Sequence, residues 1–242
     1  VKYSFYIGAV VFLASVLWPV VTTREFPPEN MATWAPEKIK TKGLVKGIAE
    51  ITSGIFKMPP TMLQMAIVQF FTWFGFFSMW IYTTPGIAQN AYHTVDTTSK
   101  AFQDAGDWVG VMFTVYNGIS AFVAFLLPML AKRIGRKYTH LICLIVGGFG
   151  LISMYYIHSP QMLLAPMIAV GLAWSSTLTM PYAILAGAVP PDKMGFYMGV
   201  FNFFIVIPQI IASVILGFII KHFFHEEGIY ALVIGGAAMV VG

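Results

Sequence analysis

Gln69, Trp73 and Trp80 are spaced by four and seven residues, so a helix carrying them presents an amide and two indoles on one face. Ser175, Thr179 and Tyr182 share a second such face beside Trp174, and Asn202 and Gln209 recur seven residues apart on a third. Asn117 lies between Tyr116 and Ser120 in a fourth apolar run. Such an amide is costly among hydrocarbon unless it is partnered, so these side chains must meet neighbouring helices or a water-filled cavity. Rings, amides and hydroxyls without charge suit a neutral polyhydroxylated ligand, which stacks its apolar faces and hydrogen-bonds through its rim. A nucleotide or a carboxylate would find no cation there.

Catalytic chemistry has little to work with. All ten acidic residues fall in expected loops or at their edges, and Asp96, Asp104 and Asp107 form the one acidic group, read as a solvated outer loop. The five histidines, His93, His140, His158, His222 and His225, sit near expected membrane boundaries, and no two are four apart within a span. A single cysteine, Cys143, excludes a disulfide framework, and no Cys/His spacing suggests a metal. No enzyme activity, cofactor or metal is expected.

The elements that hold these residues follow from composition. Of 242 residues, 58% are hydrophobic and 10% charged, and the mean hydropathy is +0.77. A soluble domain carries about 25% charged residues. Apolar runs cover 4–22, 61–86, 109–131, 138–157, 161–187 and 196–220, with a shorter one at 229–242. Backbone polar groups in lipid must bond within their own segment, so these runs are expected to be helices. Pro128, Pro166, Pro181 and Pro208 are expected to kink them. Eleven of the fourteen basic residues lie in loops 23–60, 132–137 and 188–195, which assigns those loops to the cytoplasm. Residues 25–37 are Pro-rich, and 38–57 have the pattern of an amphipathic helix on the inner membrane face. The expected division is a first span at 1–22, a cytoplasmic linker at 23–60 and a transmembrane bundle at 61–242. With Val1 first and an apolar run still open at Gly242, the chain is expected to be part of a longer multi-pass protein of the cell (inner or plasma) membrane.

Four stretches resemble a known family. The basic turn Lys132-Arg133-Ile134-Gly135-Arg136-Lys137 resembles the cytoplasmic R-x-G-R-[RK] signature of the major facilitator superfamily, with Lys132 where the family has Asp. Ala66–Phe74, Leu178–Ala183 and above all Gly199–Gln209 (GVFNFFIVIPQ) look like the sucrose and α-glucoside carriers within or beside the glycoside–pentoside–hexuronide:cation symporters. The resemblance implies an all-α membrane protein, the C-terminal six-helix half of such a carrier plus the helix before it. It implies alternating access, with a disaccharide or α-glucoside such as sucrose or maltose moved together with a coupling cation, taken as H⁺. Gln69, Trp73, Trp80, Asn117, Trp174, Thr179, Asn202 and Gln209 are the expected sugar-site residues, and Arg133, Gly135, Arg136 and Lys137 the gating loop. In the family the coupling acid and a sugar-binding arginine belong to the N-terminal half, the expected partner. Where plant sucrose carriers have D-T-D-W, this chain has Trp80-Ile81-Tyr82-Thr83, so substrate and ion are expected to differ from the plant case. The alternatives are an exporter of drugs or apolar cations on the same fold and a membrane-embedded transferase.

Overall fold

The computed structural model describes residues 2–23, 58–190 and 193–242. The expected Pro-rich stretch 25–37 and amphipathic helix 38–57 lie outside the described residues. The remainder falls into two units, one holding helix α1 (Lys2–Thr22) and the other residues 58–242. Helix α1 has 21 residues, and the hydroxyls of Ser15 and Thr22 donate to its own backbone at Phe12 O (2.8 Å) and Trp18 O (2.7 Å). An apolar helix can thereby carry hydroxyls without exposing an unpaired donor.

The second unit contains α2 (Pro60–Asn90), α3 (Lys100–Ile134), α4 (Arg136–Ser153), α5 (Leu164–Ala186), α6 (Met194–Phe223) and α7 (Ile229–Val241). Five of these are long and apolar enough to cross a membrane, and α7 is a shorter apolar helix. Among the described residues there is no strand.

The helices outrun the apolar stretches. The expected span 109–131 begins nine residues earlier, at Lys100, where Ser99 Oγ caps the helix by accepting from Phe102 N–H at 3.2 Å. Asp104 and Asp107, expected in a loop, are therefore helical. Likewise 61–86 extends to Asn90, while 138–157 ends its α-helix at Ser153 and closes with a 3-10 turn. Hydropathy locates the part of a helix that lies in hydrocarbon; the turns beyond are polar and are fixed by caps and tertiary bonds. The loop 132–137 shrinks to Gly135 between two helices. Pro166, expected at a kink, stands in the first turn of α5, where its missing N–H has no helical partner to lose. Pro128, Pro181 and Pro208 are inside α3, α5 and α6.

In the packing, α7 lies against α2 and α4, α5 lies between α3 and α4, and α6 rests mainly on α2. Glycines let α7 in. A Cβ at Gly75 would stand 2.6 Å from Gly235 O, and one at Gly236 would stand 2.5 Å from Gly148 O. Glycine faces glycine on both sides of α7, the close backbone approach that small residues permit between membrane helices. Only 22% of the apolar windows of α3 and α6 is buried, against 44–50% for α2, α4 and α5, so α3 and α6 keep open faces.

At the end assigned to the exterior, α2 ties the loops together. Gln89 Nε2 donates to Glu226 O (3.1 Å), and its Oε1 accepts from Gly228 N–H (2.7 Å). Asn90 Nδ2 donates to Ile157 O (3.1 Å), and Trp108 Nε1 donates to Pro160 O (2.7 Å). The two Gln89 bonds hold a turn in which His225 and Glu226 both have positive φ, and the other two hold the loop at 157–160.

Candidate functional site

On α2, Trp73, Phe76 and Trp80 follow at helical spacing and turn toward Trp174 of α5 and Tyr116 of α3. The Trp174 ring lies 5.0 Å from Phe76, 5.5 Å from Trp80, 5.8 Å from Trp73 and 6.5 Å from Tyr116, centroid to centroid. All four pairs are edge-to-face, the arrangement the ring quadrupoles favour. Trp80 Nε1 donates to the Tyr116 hydroxyl at 3.2 Å. Trp73 and Phe76 are buried, whereas Trp80 and Trp174 keep part of their surface open. A ligand would thus meet the latter two first.

Polar atoms at this cluster are left unpaired. Both amide atoms of Gln69, Nε1 of Trp73 and Oγ of Ser175 are buried without a hydrogen-bond partner. Each such atom costs about 1–3 kcal/mol, and four on adjoining turns of α2 and α5 are a set of donors and acceptors that a hydroxylated molecule or water could satisfy. The ring cluster and these four atoms include no charged side chain.

The remaining expected site residues lie on α3, α5 and α6. Asn117 is exposed on α3 and donates to Phe113 O of its own helix at 2.8 Å. Thr179 is half-buried and donates to Ser175 O at 2.8 Å. Asn202 is exposed and Gln209 half-buried on α6, outside the ring cluster. The tryptophans thus lie together and the α6 amides lie apart from them, because spacing along one helix does not say which way its face turns. Two residues outside the expected set join the candidate site, Phe76, whose place in the run Trp73, Phe76, Trp80 carries the signal, and Ser175, which nothing in the sequence sets apart from an ordinary packing serine.

In the expected gating loop, Gly135 has φ 88° and ψ 154° and ends one helix as it begins the next. This region is open essentially to glycine alone, and other residues pay about 1–3 kcal/mol there. A Cβ would meet nothing within 4 Å, so the conformation alone decides. Gly135→Ala is expected to lower stability by about 1–3 kcal/mol, read as a fall in the melting temperature of the purified protein. Arg136 Nη1 donates to Ala183 O at 2.7 Å and so ties the turn to the last turn of α5. Arg133 and Lys137 are exposed.

His140, expected at a boundary, is buried, with Nδ1 2.9 Å from Ser176 Oγ. At the other end, the Thr98 hydroxyl and then its backbone N–H donate to Asp96 Oδ1 (2.7 and 2.9 Å) and hold its carboxyl below the usual range. Asp96 is thereby a turn-forming anion rather than a poised acid. Among the described residues no three His, Cys, Asp or Glu side chains are grouped to hold a metal.

Long apolar helices packed through glycine and enclosing an uncharged ring cluster define a multi-pass integral membrane protein. Residues 94–242 match the Major Facilitator Superfamily, and the chain belongs to that family. It is 22% identical over 194 residues to sucrose transport protein SUC3 of Arabidopsis thaliana, an alignment covering 69% of this chain and 32% of that protein. The chain thus spans about a third of the length of that curated relative. No solved structure matches it.

Proposed function

We propose that the chain supplies the C-terminal half of a secondary sugar carrier that moves a disaccharide or α-glucoside, such as sucrose or maltose, together with a proton by alternating access. The observation that carries this reading is the uncharged ring cluster with its four unpaired polar atoms. A pyranoside offers C–H faces to Trp80 and Trp174 and hydroxyls to Gln69, Trp73 and Ser175, whereas a phosphorylated or acidic sugar would meet no countercharge. Family membership and the likeness to a sucrose transport protein support the same substrate class. Of the other expected residues, Asn117, Asn202 and Gln209 lie on the open helices α3 and α6, where a lipid-facing amide would be costly. Those faces suit the N-terminal half of the same carrier, the expected source of the coupling acid.

Uptake of labelled sucrose and maltose by the intact protein in sealed vesicles tests the reading. Accumulation of at least one sugar above equilibrium, abolished by an uncoupler, is expected. Accumulation indifferent to the uncoupler would remove proton coupling. Extrusion of a lipophilic cation with no sugar uptake would move the protein to the exporter class.

A further inference from the structure

We propose that Tyr116 is a positioning residue of the sugar site: its hydroxyl holds the Trp80 indole in the orientation in which a sugar ring stacks on it. The inference rests on the carrier reading above and deepens it, because it gives α3, a helix with little buried surface, a part in binding.

Trp80 is a ring that needs holding. It keeps part of its surface open, so packing does not enclose it on every side. Phe76 stacks on it with centroids 6.1 Å apart and planes 26° apart, and Trp174 meets it edge-to-face at 5.5 Å. The torsion that joins a tryptophan ring to its Cβ is broad and roughly two-fold. A half-turn about it would keep ring contacts of a similar kind while carrying Nε1 away from α3. The bond from Trp80 Nε1 to the Tyr116 hydroxyl, at 3.2 Å, therefore selects one orientation of the two. It also uses the one donor an indole has. Trp80 is left to offer a sugar its ring surface, while the buried, unpaired Nε1 of Trp73 remains as an indole donor.

The place of Tyr116 is set by the packing of α3. The buried residues of that helix, Ala105, Val109, Met112, Tyr116, Ser120 and Leu127, form a narrow stripe in which Tyr116 is the one aromatic side chain. Tyr116 is 5% exposed and lies edge-to-face with Trp174. At this level α5 carries Gly171, where a Cβ would stand 2.8 Å from both Tyr116 O and Ile119 Cβ. The missing side chain lets α3 come close, and Gly171 is three residues from Trp174, so one turn of α5 both admits Tyr116 and presents Trp174 to the cluster. Packing alone would need the ring and not its oxygen, since a buried hydroxyl is costly unless it is bonded. The bond it makes is to Trp80.

Tyr116→Phe removes the oxygen and keeps the ring. In the intact protein it is expected to weaken the binding of sucrose or maltose about three- to tenfold by isothermal titration, the scale of one hydrogen bond, with a near-native melting temperature. In a Trp80→Phe background, where no indole N–H remains to be held, the same change is expected to alter binding by less than about twofold. Magnetic resonance of protein labelled at the indole nitrogens, without sugar, gives a second readout. The N–H signal that Trp80→Phe deletes is expected to move in Tyr116→Phe. Native affinity in Tyr116→Phe, an equal loss in both backgrounds or an unmoved Trp80 signal overturns the proposal. So does a Tyr116→Phe protein that fails to fold, because the hydroxyl would then be structural. Each of these leaves the carrier reading standing, whereas a wild type that binds neither sugar overturns that reading and this role with it.

Discussion

Trp174→Ala in the intact protein is expected to weaken sugar binding by about 30-fold or more, the scale of a buried aromatic anchor worth ~2 kcal/mol or above. Trp174 touches Trp73, Phe76, Trp80 and Tyr116, so its loss removes a stacking surface and lets the other rings collapse into the gap. The same contacts make it structural, and truncating a packed tryptophan costs about 3–5 kcal/mol of stability. The two effects separate in Trp174→Phe, which keeps a ring in the cluster. That variant should fold with a near-native melting temperature and retain sugar binding within about tenfold, a loss of ~1.4 kcal/mol. Equilibrium binding by isothermal titration, alongside thermal melts, makes the comparison. Native affinity in a well-folded Trp174→Ala protein would remove the ring cluster from the sugar site.

Gly236→Val should abolish a well-behaved bundle. The first added atom would already stand 2.5 Å from Gly148 O and 3.0 Å from Ile152 N, both backbone, so neither can swing aside as a side chain would. Relief requires α7 to leave α4, and that movement also disturbs the facing contact between Gly235 and Gly75 of α2. Overpacking costs typically about 1–3 kcal/mol, occasionally more, and here the displaced element joins two helices at once. The expected result is loss of the monodisperse peak in size-exclusion chromatography after detergent extraction. Gly106→Ala is the control, because a Cβ there meets only Thr84 Cγ2 at the ordinary distance of 3.9 Å. A monodisperse Gly236→Val protein with an unchanged melting temperature would contradict the packing of α7.

Much of the architecture is legible in the amino-acid order alone. Each apolar run became a helix, because hydrocarbon leaves the backbone no other way to satisfy its own polar groups. Helix ends are less legible: α3 starts nine residues before its apolar run because Ser99 caps it there, and a cap is a local bond that hydropathy does not sense. At the candidate site, the spacing of Gln69, Trp73 and Trp80 correctly put them on one helical face, and the meeting of that face with Trp174 and Tyr116 is long-range information. His140 illustrates the limit most clearly. Its distance along the chain from the basic turn suggested a boundary position, while burial by α5 and pairing with Ser176 depend on how two helices lean together.

What the amino-acid order determined by itself was the solvent and the periodicity: a chain this apolar enters a bilayer as helices, and residues three, four or seven apart share a face. Only the tertiary structure decided which faces look inward. It brought three tryptophans from two helices within 6.2 Å of one another and left Asn202 exposed. The reason is that between helices in lipid no hydrophobic gradient orients a face. Close glycine contacts and a few polar bonds do so instead, and these are properties of pairs of helices rather than of any one segment.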